Sequence, residues 1–412
     1  MAPLEVTTQP IAPHDLPSPL TNNMNSLPPF PNHRAPKHIY PDGIKTSGQH
    51  PPIYSLLRPY SAFPTEITGP TVWQASDYRS HPSRWTHIFS PSELAEISAA
   101  ADLFLASGTP TTGISQSNFP LPQFGKFLRG LKDELLNGKG FILFKGFPVA
   151  EWGNRKSAVA YMGLGTYLGY FVSQNGRGHV LGHVKDLGED ATQIDKVRIY
   201  RTNARQFFHA DDCDIVGLLC VAKALEGGES DLVSSHHVWN TLQRENPDVA
   251  RTLTEPIWYF DRKGETSVGQ EEWIRSSVFY LETGENPRVY CKWDPYYIRS
   301  LTRFSDKGLI PPLSEAQQRA AAVLEETCLR LSLHMVLDIG DIQFLSNAHV
   351  LHARTAYKDY PPPAPRRHLM RLWLSTPEDE GGWRLPFHDS NEKKRGGVQV
   401  NDTPPVAPYD AE

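Results

Sequence analysis

At 412 residues the chain exceeds a typical single domain, yet β-rich enzymes with long insertions reach this length as one catalytic unit. A formal charge of −5 and a pI near 6.4 leave no basic excess to neutralise a phosphate backbone, which argues against nucleic acid as a partner. Four cysteines, Cys213, Cys220, Cys291 and Cys328, form no CxxC pair, so neither a zinc knuckle nor a disulfide framework is indicated and a reducing compartment fits.

Twelve of the 36 prolines precede Ile53 in a stretch without apolar periodicity, so residues 1–58 are expected to form a disordered arm. The first ten residues carry neither the basic nor the apolar part of a leader. The apolar runs at 140–144 and 215–222 fall far short of the roughly 20 residues a membrane helix needs. A cytoplasmic enzyme without a membrane partner is the expectation, and a homo-oligomer is compatible with the sequence. A single catalytic domain should then span 59–376.

Regular structure is expected from about Tyr60. Residues 91–106 read as a helix capped by Ser90 or Ser92, and 140–147 as a buried strand. Residues 159–168 read as a helix, and Gln174 opens a glycine-punctuated loop, 174–178, that suits an active-site rim. Strand-like segments follow at 198–201, 207–211 and 215–221. Gly227-Gly228 turns the chain into a strand at 230–234, and a helix over 238–244 ends before Pro247. Aromatic strands are expected at 258–262, 278–281 and 289–293. Ser314 and Gln317 form a capping box for a helix reaching about Leu331. Strands at 336–339 and 342–346 flank the Gly340-Asp341 turn, a last strand covers 368–375, and 377–412 reads as a polar, mobile tail. This order, strands interrupted by a few helices, points to a mainly β protein with a double-stranded β-helix, or jelly-roll, core and flanking helices.

Chemistry concentrates at Phe208-His209-Ala210-Asp211 and, far downstream, at His352. Residues at i and i+2 on a strand share a face, so His209 and Asp211 can point together, with Asp212 on the opposite side and Asp214 solvating the strand end. His349 and His352 cannot both face inward. His349 shares parity with Leu351 and reads as a core histidine bonded to backbone; His236, His237, His179 and His183 also read as lying away from the site. Two imidazoles and one carboxylate match the facial triad that holds Fe(II) and leaves three positions open. A chelating 2-oxo acid would fill two of these and leave one for O2. Its remote carboxylate needs a cation in a dry pocket, and Arg367 and Arg371 share parity on an apolar strand.

These residues resemble the taurine dioxygenase family of Fe(II)- and 2-oxoglutarate-dependent oxygenases, in its clavaminate synthase-like and chlorophenoxyacetate dioxygenase breadth. The matches are Phe208-His209-Ala210-Asp211, Gly227-Gly228-Glu229-Ser230, Val238-Trp239-Asn240-Thr241-Leu242, Gly340-Asp341-Ile342, Asn347 five residues before His352, and Arg366-Arg367-His368-Leu369-Met370-Arg371. The resemblance implies His209, Asp211 and His352 as metal ligands, with 2-oxoglutarate as cosubstrate. It implies Arg367, helped by Ser230 where the family often has threonine, as the anchor of the cosubstrate carboxylate. Arg371 resembles the second arginine of the family, near cosubstrate and primary substrate, with Gln174 and Phe207 as further substrate-contact candidates. The implied reaction couples decarboxylation of 2-oxoglutarate to succinate and CO2 with C–H oxidation: hydroxylation, desaturation or ring closure. Whole-chain lookalikes through the Trp73 region and the strand 367–374 are typical of filamentous fungi. That points to a small carboxylate-bearing substrate, an amino acid in secondary metabolism, with sulfonate catabolism as the alternative. A zinc hydrolase would leave Arg367 and the Gly227-Gly228 turn unexplained, and a non-catalytic binding barrel would leave the intact triad unexplained.

Overall fold

The computed structural model describes residues 53–411, so the expected arm lies, as far as residue 52, outside the described residues. Helix α1 (Pro91–Ala106) opens on Ser90. The Ser90 hydroxyl accepts from the Glu93 amide while the Glu93 carboxylate accepts from the Ser90 amide, a reciprocal cap worth about 1 kcal/mol. No element was expected at 124–137, where α2 (Phe124–Asn137) forms. Leu128, Leu131 and Leu135 do repeat at helical spacing there, but Gly125 and Gly130 dilute the pattern. Helix α3 (Val149–Gly165) starts earlier than expected because Gly153, at φ 69°, kinks the chain rather than stopping it.

Nine strands frame the interior: β1 (Phe141–Lys145), β2 (Leu181–Lys185), β3 (Gln206–His209), β4 (Ile215–Ala222), β5 (Ser230–Ser234), β6 (Leu333–Met335), β7 (Ile342–Ser346), β8 (Val350–Arg354) and β9 (His368–Ser375). The larger sheet runs Thr86–Ile88, β1, β7, β4, β9, Tyr170–Phe171, with β2 also on β9. The smaller runs β6, β5, β8, β3. All pairings are antiparallel except the edge pair Thr86–Ile88 with β1.

Alternation along each strand sorts side chains into three layers. Leu369 and Trp373 of β9 meet Leu232, Leu333 and Val350 of the smaller sheet in the core between the sheets. Met370, Leu372 and Leu374 of β9 face α1, α2 and α3 on the outside of the larger sheet. Phe208, Val233, Leu351 and Ala353 leave the smaller sheet outward, against α4 (Ser235–Glu245), α5 (Pro247–Thr254) and α6 (Glu315–Leu331). This is the jelly-roll expected from the strand order, and it leaves the inner ends of β3, β8 and β9 free to present polar groups.

Several expectations shift. Residues 198–201 form no strand: Ile199–Arg201 closes a 3-10 turn in which the Thr202 amide reaches the Ile199 carbonyl. The strand expected at 336–339 lies earlier, as β6, because Val336 and Ile339 are exposed. Pro247 opens α5 after Asn246 has broken α4. The segment from Pro377 packs on the body instead of trailing from it. Trp383 is buried and donates to the Leu136 carbonyl, and the Val180 amide donates to the Val406 carbonyl.

Candidate active site

The β3–β8 ladder sets His352 opposite His209, and both point inward. Their rings lie 4.1 Å apart, centroid to centroid. Asp211 lies past the end of β3, so strand parity is not what turns it inward. Its amide donates to Asn347 Oδ1 at 3.0 Å, and that bond aims the carboxylate between the two imidazoles. Asp211 Oδ1 is 4.0 Å from His209 Nε2, and Asp211 Oδ2 is 3.7 Å from His352 Nε2. Asp212 faces elsewhere, paired with Lys292 at 2.7 Å. Among the described residues, these three form the group of His, Cys, Asp or Glu close enough to share a metal, with ligand atoms within 4.8 Å of one another.

The local chemistry suits a cation. The His209 Nδ1–H donates to the Phe207 carbonyl at 2.8 Å, which leaves the Nε2 lone pair facing the cavity, where the Gln206 amide meets it. Burial, with His209 close by, pushes His352 down to about 3, so its imidazole is neutral and able to bind a metal. Burial alone would raise the Asp211 carboxyl. The Arg371 guanidinium, with the two imidazoles beside it, outweighs it and holds Asp211 below the usual range. Asp211 Oδ2 has no hydrogen-bond partner among the described residues, although it is buried. A cation with bonds of about 2.0–2.2 Å bridges spacings of this size.

Arg371 reaches the cavity from β9, and Arg367 from the position just before that strand begins. Arg371 Nη1 lies 3.3 Å from Asp211 Oδ1, Nε donates to Gln174 Oε1 at 2.8 Å, and its guanidinium sits over the Tyr200 and Trp373 rings. Gln174 is buried beneath Arg371, outside the cavity lining, rather than on an open rim. Arg367 Nη2 donates to the Gly228 carbonyl, and Nη1 is buried without a partner. A Cβ at Gly228 would come within 2.5 Å of Arg367 Nε, so the Gly227-Gly228 turn makes room for that arginine. Ser230 lines the same cavity, held by Gln343 at 3.2 Å. The free donor of Arg367 beside a hydroxyl fits the remote carboxylate of a 2-oxo diacid.

Not every candidate converges. The Phe207 ring packs against Tyr296 and the Arg205 guanidinium outside the cavity lining, and its contribution is the carbonyl that orients His209. His349 is a core histidine as expected, but neither ring nitrogen has a hydrogen-bond partner among the described residues. His236 bonds Thr71 and the Val289 carbonyl, and His183 bonds His368 and the Pro408 carbonyl, all away from the triad. Asp214, expected to solvate a strand end, is buried and paired with Arg395. Two polar cavity residues, Gln206 and Arg354, escaped the sequence reading. Arg354 lines the pocket two positions after His352, and burial together with the Arg367 charge pulls it down to about 10. The i, i+2 rule that aligned His209 with its neighbours would have found it.

A buried His, Asp, His set on the inner strand ends of a jelly roll defines the class of mononuclear non-heme metal oxygenases. The model of the taurine catabolism dioxygenase TauD, TfdA family matches residues 107–373. The chain belongs to this family of Fe(II)- and 2-oxoglutarate-dependent oxygenases. It is similar to FR-33289 synthase of Streptomyces rubellomurinus, 29% identical over 327 residues that cover 78% of this chain and 92% of the relative. The taurine hydroxylase-like protein SAT17 of Stachybotrys chartarum is 29% identical over 303 residues, covering 72% and 76%. An asparagine oxygenase solved with Fe(II), 3-hydroxyasparagine and succinate shares the fold at TM-score 0.54 and 15% identity, over 71% of this chain and 94% of that one. OrfP, solved with iron, succinate and hydroxy-L-Arg, does so at TM-score 0.51 and 15% identity, over 70% and 94%. No helix among the described residues is long and apolar enough to cross a membrane.

Asn347 is where support of the candidate metal ligands can be tested. Asn347→Ala is expected to leave the chain folded while weakening divalent-metal affinity about 10- to 100-fold in a calorimetric titration. Unchanged affinity would show that Asp211 keeps its aim without that bond.

Proposed function

We propose that the chain oxidises a C–H bond of a small carboxylate-bearing molecule, an amino acid of secondary metabolism, with His209, Asp211 and His352 holding Fe(II). Arg367 and Ser230 anchor the remote carboxylate of 2-oxoglutarate. When bound, iron and cosubstrate supply the oxidising power, as decarboxylation of 2-oxoglutarate to succinate and CO2 is coupled to reduction of O2.

The observation that carries the substrate class is Arg371. Its guanidinium lies beside a metal ligand, is buried, and is fixed in orientation by Gln174 and by the rings of Tyr200 and Trp373. An acid group that meets this arginine leaves the substrate's neighbouring carbons next to the metal, and the bond to be broken is chosen by position. Leu369 lines the cavity with apolar surface, Trp373 backs the Arg371 guanidinium, and both limit water. The ligands bound to two relatives in fold, hydroxyasparagine and hydroxy-L-Arg, support an amino acid, and the relative named FR-33289 synthase supports secondary metabolism. The taurine hydroxylase-like relative keeps a sulfonate in the panel, because a guanidinium binds either anion.

The test is aerobic incubation with Fe(II), ascorbate and 2-oxoglutarate against a panel of amino acids and sulfonates. Succinate formation stimulated by an amino acid supports the reading, and absence of stimulation by any amino acid removes it. With a substrate in hand, Arg371→Ala is expected to lower its turnover by on the order of 100-fold while slow, uncoupled 2-oxoglutarate decay persists. Equal loss of both rates would assign Arg371 to the cosubstrate instead.

A further inference from the structure

Arg354 leaves the same face of β8 as His352, and on the neighbouring strand it is paired with Ser230. Ser230, Arg354 and Gln206 therefore form one row across the smaller sheet, next to the row that carries His352 and His209. All five side chains line the cavity. Arg354 Nη2 is tied to the carbonyls of Thr202 and Ala204, which fixes the plane of its guanidinium. Its Nε and Nη1 are buried without a hydrogen-bond partner among the described residues, as is Nη1 of Arg367. Both guanidinium carbons sit about one ring-stacking distance from Tyr357, at 4.9 and 5.0 Å from its centroid.

Two cations in one dry cavity, with three nitrogens unused, form an unstable arrangement unless an anion completes it. The acidic side chains of the lining are otherwise engaged: Asp211 belongs to the triad and meets Arg371, and Glu229 takes the Thr355 hydroxyl. Asp359 accepts the Arg367 backbone amide from outside the lining.

The geometry points to a two-arginine clamp, in which Arg354 and Arg367 together hold the remote carboxylate of 2-oxoglutarate, each giving an N–H to it. The inference rests on the reading of this cavity as the cosubstrate pocket. The clamp makes the pocket selective for 2-oxo acids that carry a second carboxylate at this reach, and it makes Arg354 a binding residue rather than a support for the strand of His352.

The test is calorimetry on the full chain loaded with Mn(II), so that no turnover intrudes, with 2-oxoglutarate and with pyruvate, which lacks the remote carboxylate. Arg354→Gln is expected to weaken 2-oxoglutarate binding at least about tenfold and to leave pyruvate within about twofold of wild type. Retained pyruvate binding certifies the fold and the metal site of the variant. Arg354→Lys, which keeps the charge without the fork, is expected to fall between the two and carries the test should Arg354→Gln fail to fold. If Arg367→Gln loses 2-oxoglutarate while Arg354→Gln keeps it, the clamp is overturned and the pocket stands. If both variants keep it, the pocket itself is misassigned. If Arg354→Gln weakens pyruvate and 2-oxoglutarate alike, Arg354 acts through His352 and the clamp is overturned.

Discussion

The Asp211→Ala variant is expected to show no Fe(II)-dependent stabilisation and to lose turnover by on the order of 10³-fold or more. With the proposed ligands, Asp211 supplies the negative charge of the triad and the two imidazoles are neutral. Without it, a divalent cation would enter a buried site facing Arg371 with no protein anion to offset either charge. Removing it also leaves the Arg371 guanidinium without its carboxylate partner, so the metal-free variant should melt below the wild type. The measurement is thermal unfolding with and without Fe(II) under nitrogen. At a metal concentration of 100 times Kd, the wild type gains about 2.7 kcal/mol, and the variant should gain nothing. A variant that still rises with metal, and still forms succinate, would take Asp211 out of the centre. The ionisation states sharpen this expectation. Asp211 is held below the ordinary carboxylate range and His352 sits near 3, so neither ligand should compete with protons for the metal near neutral pH. For the metal-free chain, the unfolded state takes up a proton on His352 near the ordinary value of about 6.5, which the folded state resists. That part of the stability is present above about 6.5 and is lost as the pH falls toward 3.

Which parts of this architecture could be read from the chain follows from the distance over which each signal acts. Ser230–Ser234 and His368–Ser375 have the expected bounds, since an apolar run between turn residues is a local pattern, and α1 begins on the serine that its own capping box designates. The structure separates His352 from His349 as strand parity does, because both lie on or beside β8, with Leu351 turned to the outer helices. The same rule chose Asp211 over Asp212 for the wrong reason: the strand ends at His209, and the aim comes from Asn347, 136 residues away. Arg354 was equally legible by parity, yet an arginine after a histidine draws no attention until its buried, unpartnered nitrogens are seen. The segment after Pro377 was illegible in principle. Its polar composition describes a tail, and the residues that contradict this, Trp383 and Arg395, gain meaning from partners that no local window contains.

Arg395→Ala is expected to cost about 3–5 kcal/mol, the cost of breaking a buried ion pair by removing one member. Arg395 and Asp214 meet through two bonds, Nε to Oδ2 and Nη2 to Oδ1, each 2.8 Å, and both residues are almost wholly buried. Truncation to alanine leaves the Asp214 carboxylate in the interior with the Thr376 amide as its remaining donor, and it strips the carbonyls of Trp383 and Ser390 of the Arg395 Nη1 that serves them. At roughly 2–4 °C per kcal/mol for a large domain, the melting temperature should fall by on the order of 10 °C. The effect should reach the metal. Asp214 accepts the Asn347 amide through its own carbonyl, and Asn347 in turn aims Asp211, so loosening Asp214 loosens the chain between the strand end and the ligand. A fall in Fe(II) affinity should therefore accompany the fall in melting temperature. Replacing both members, Asp214→Asn with Arg395→Met, should recover part of the stability, because no bare charge is then buried. A melting temperature within about 1 °C of wild type for Arg395→Ala would mean that the pair is not formed in solution, and the segment would then be the tail its composition describes.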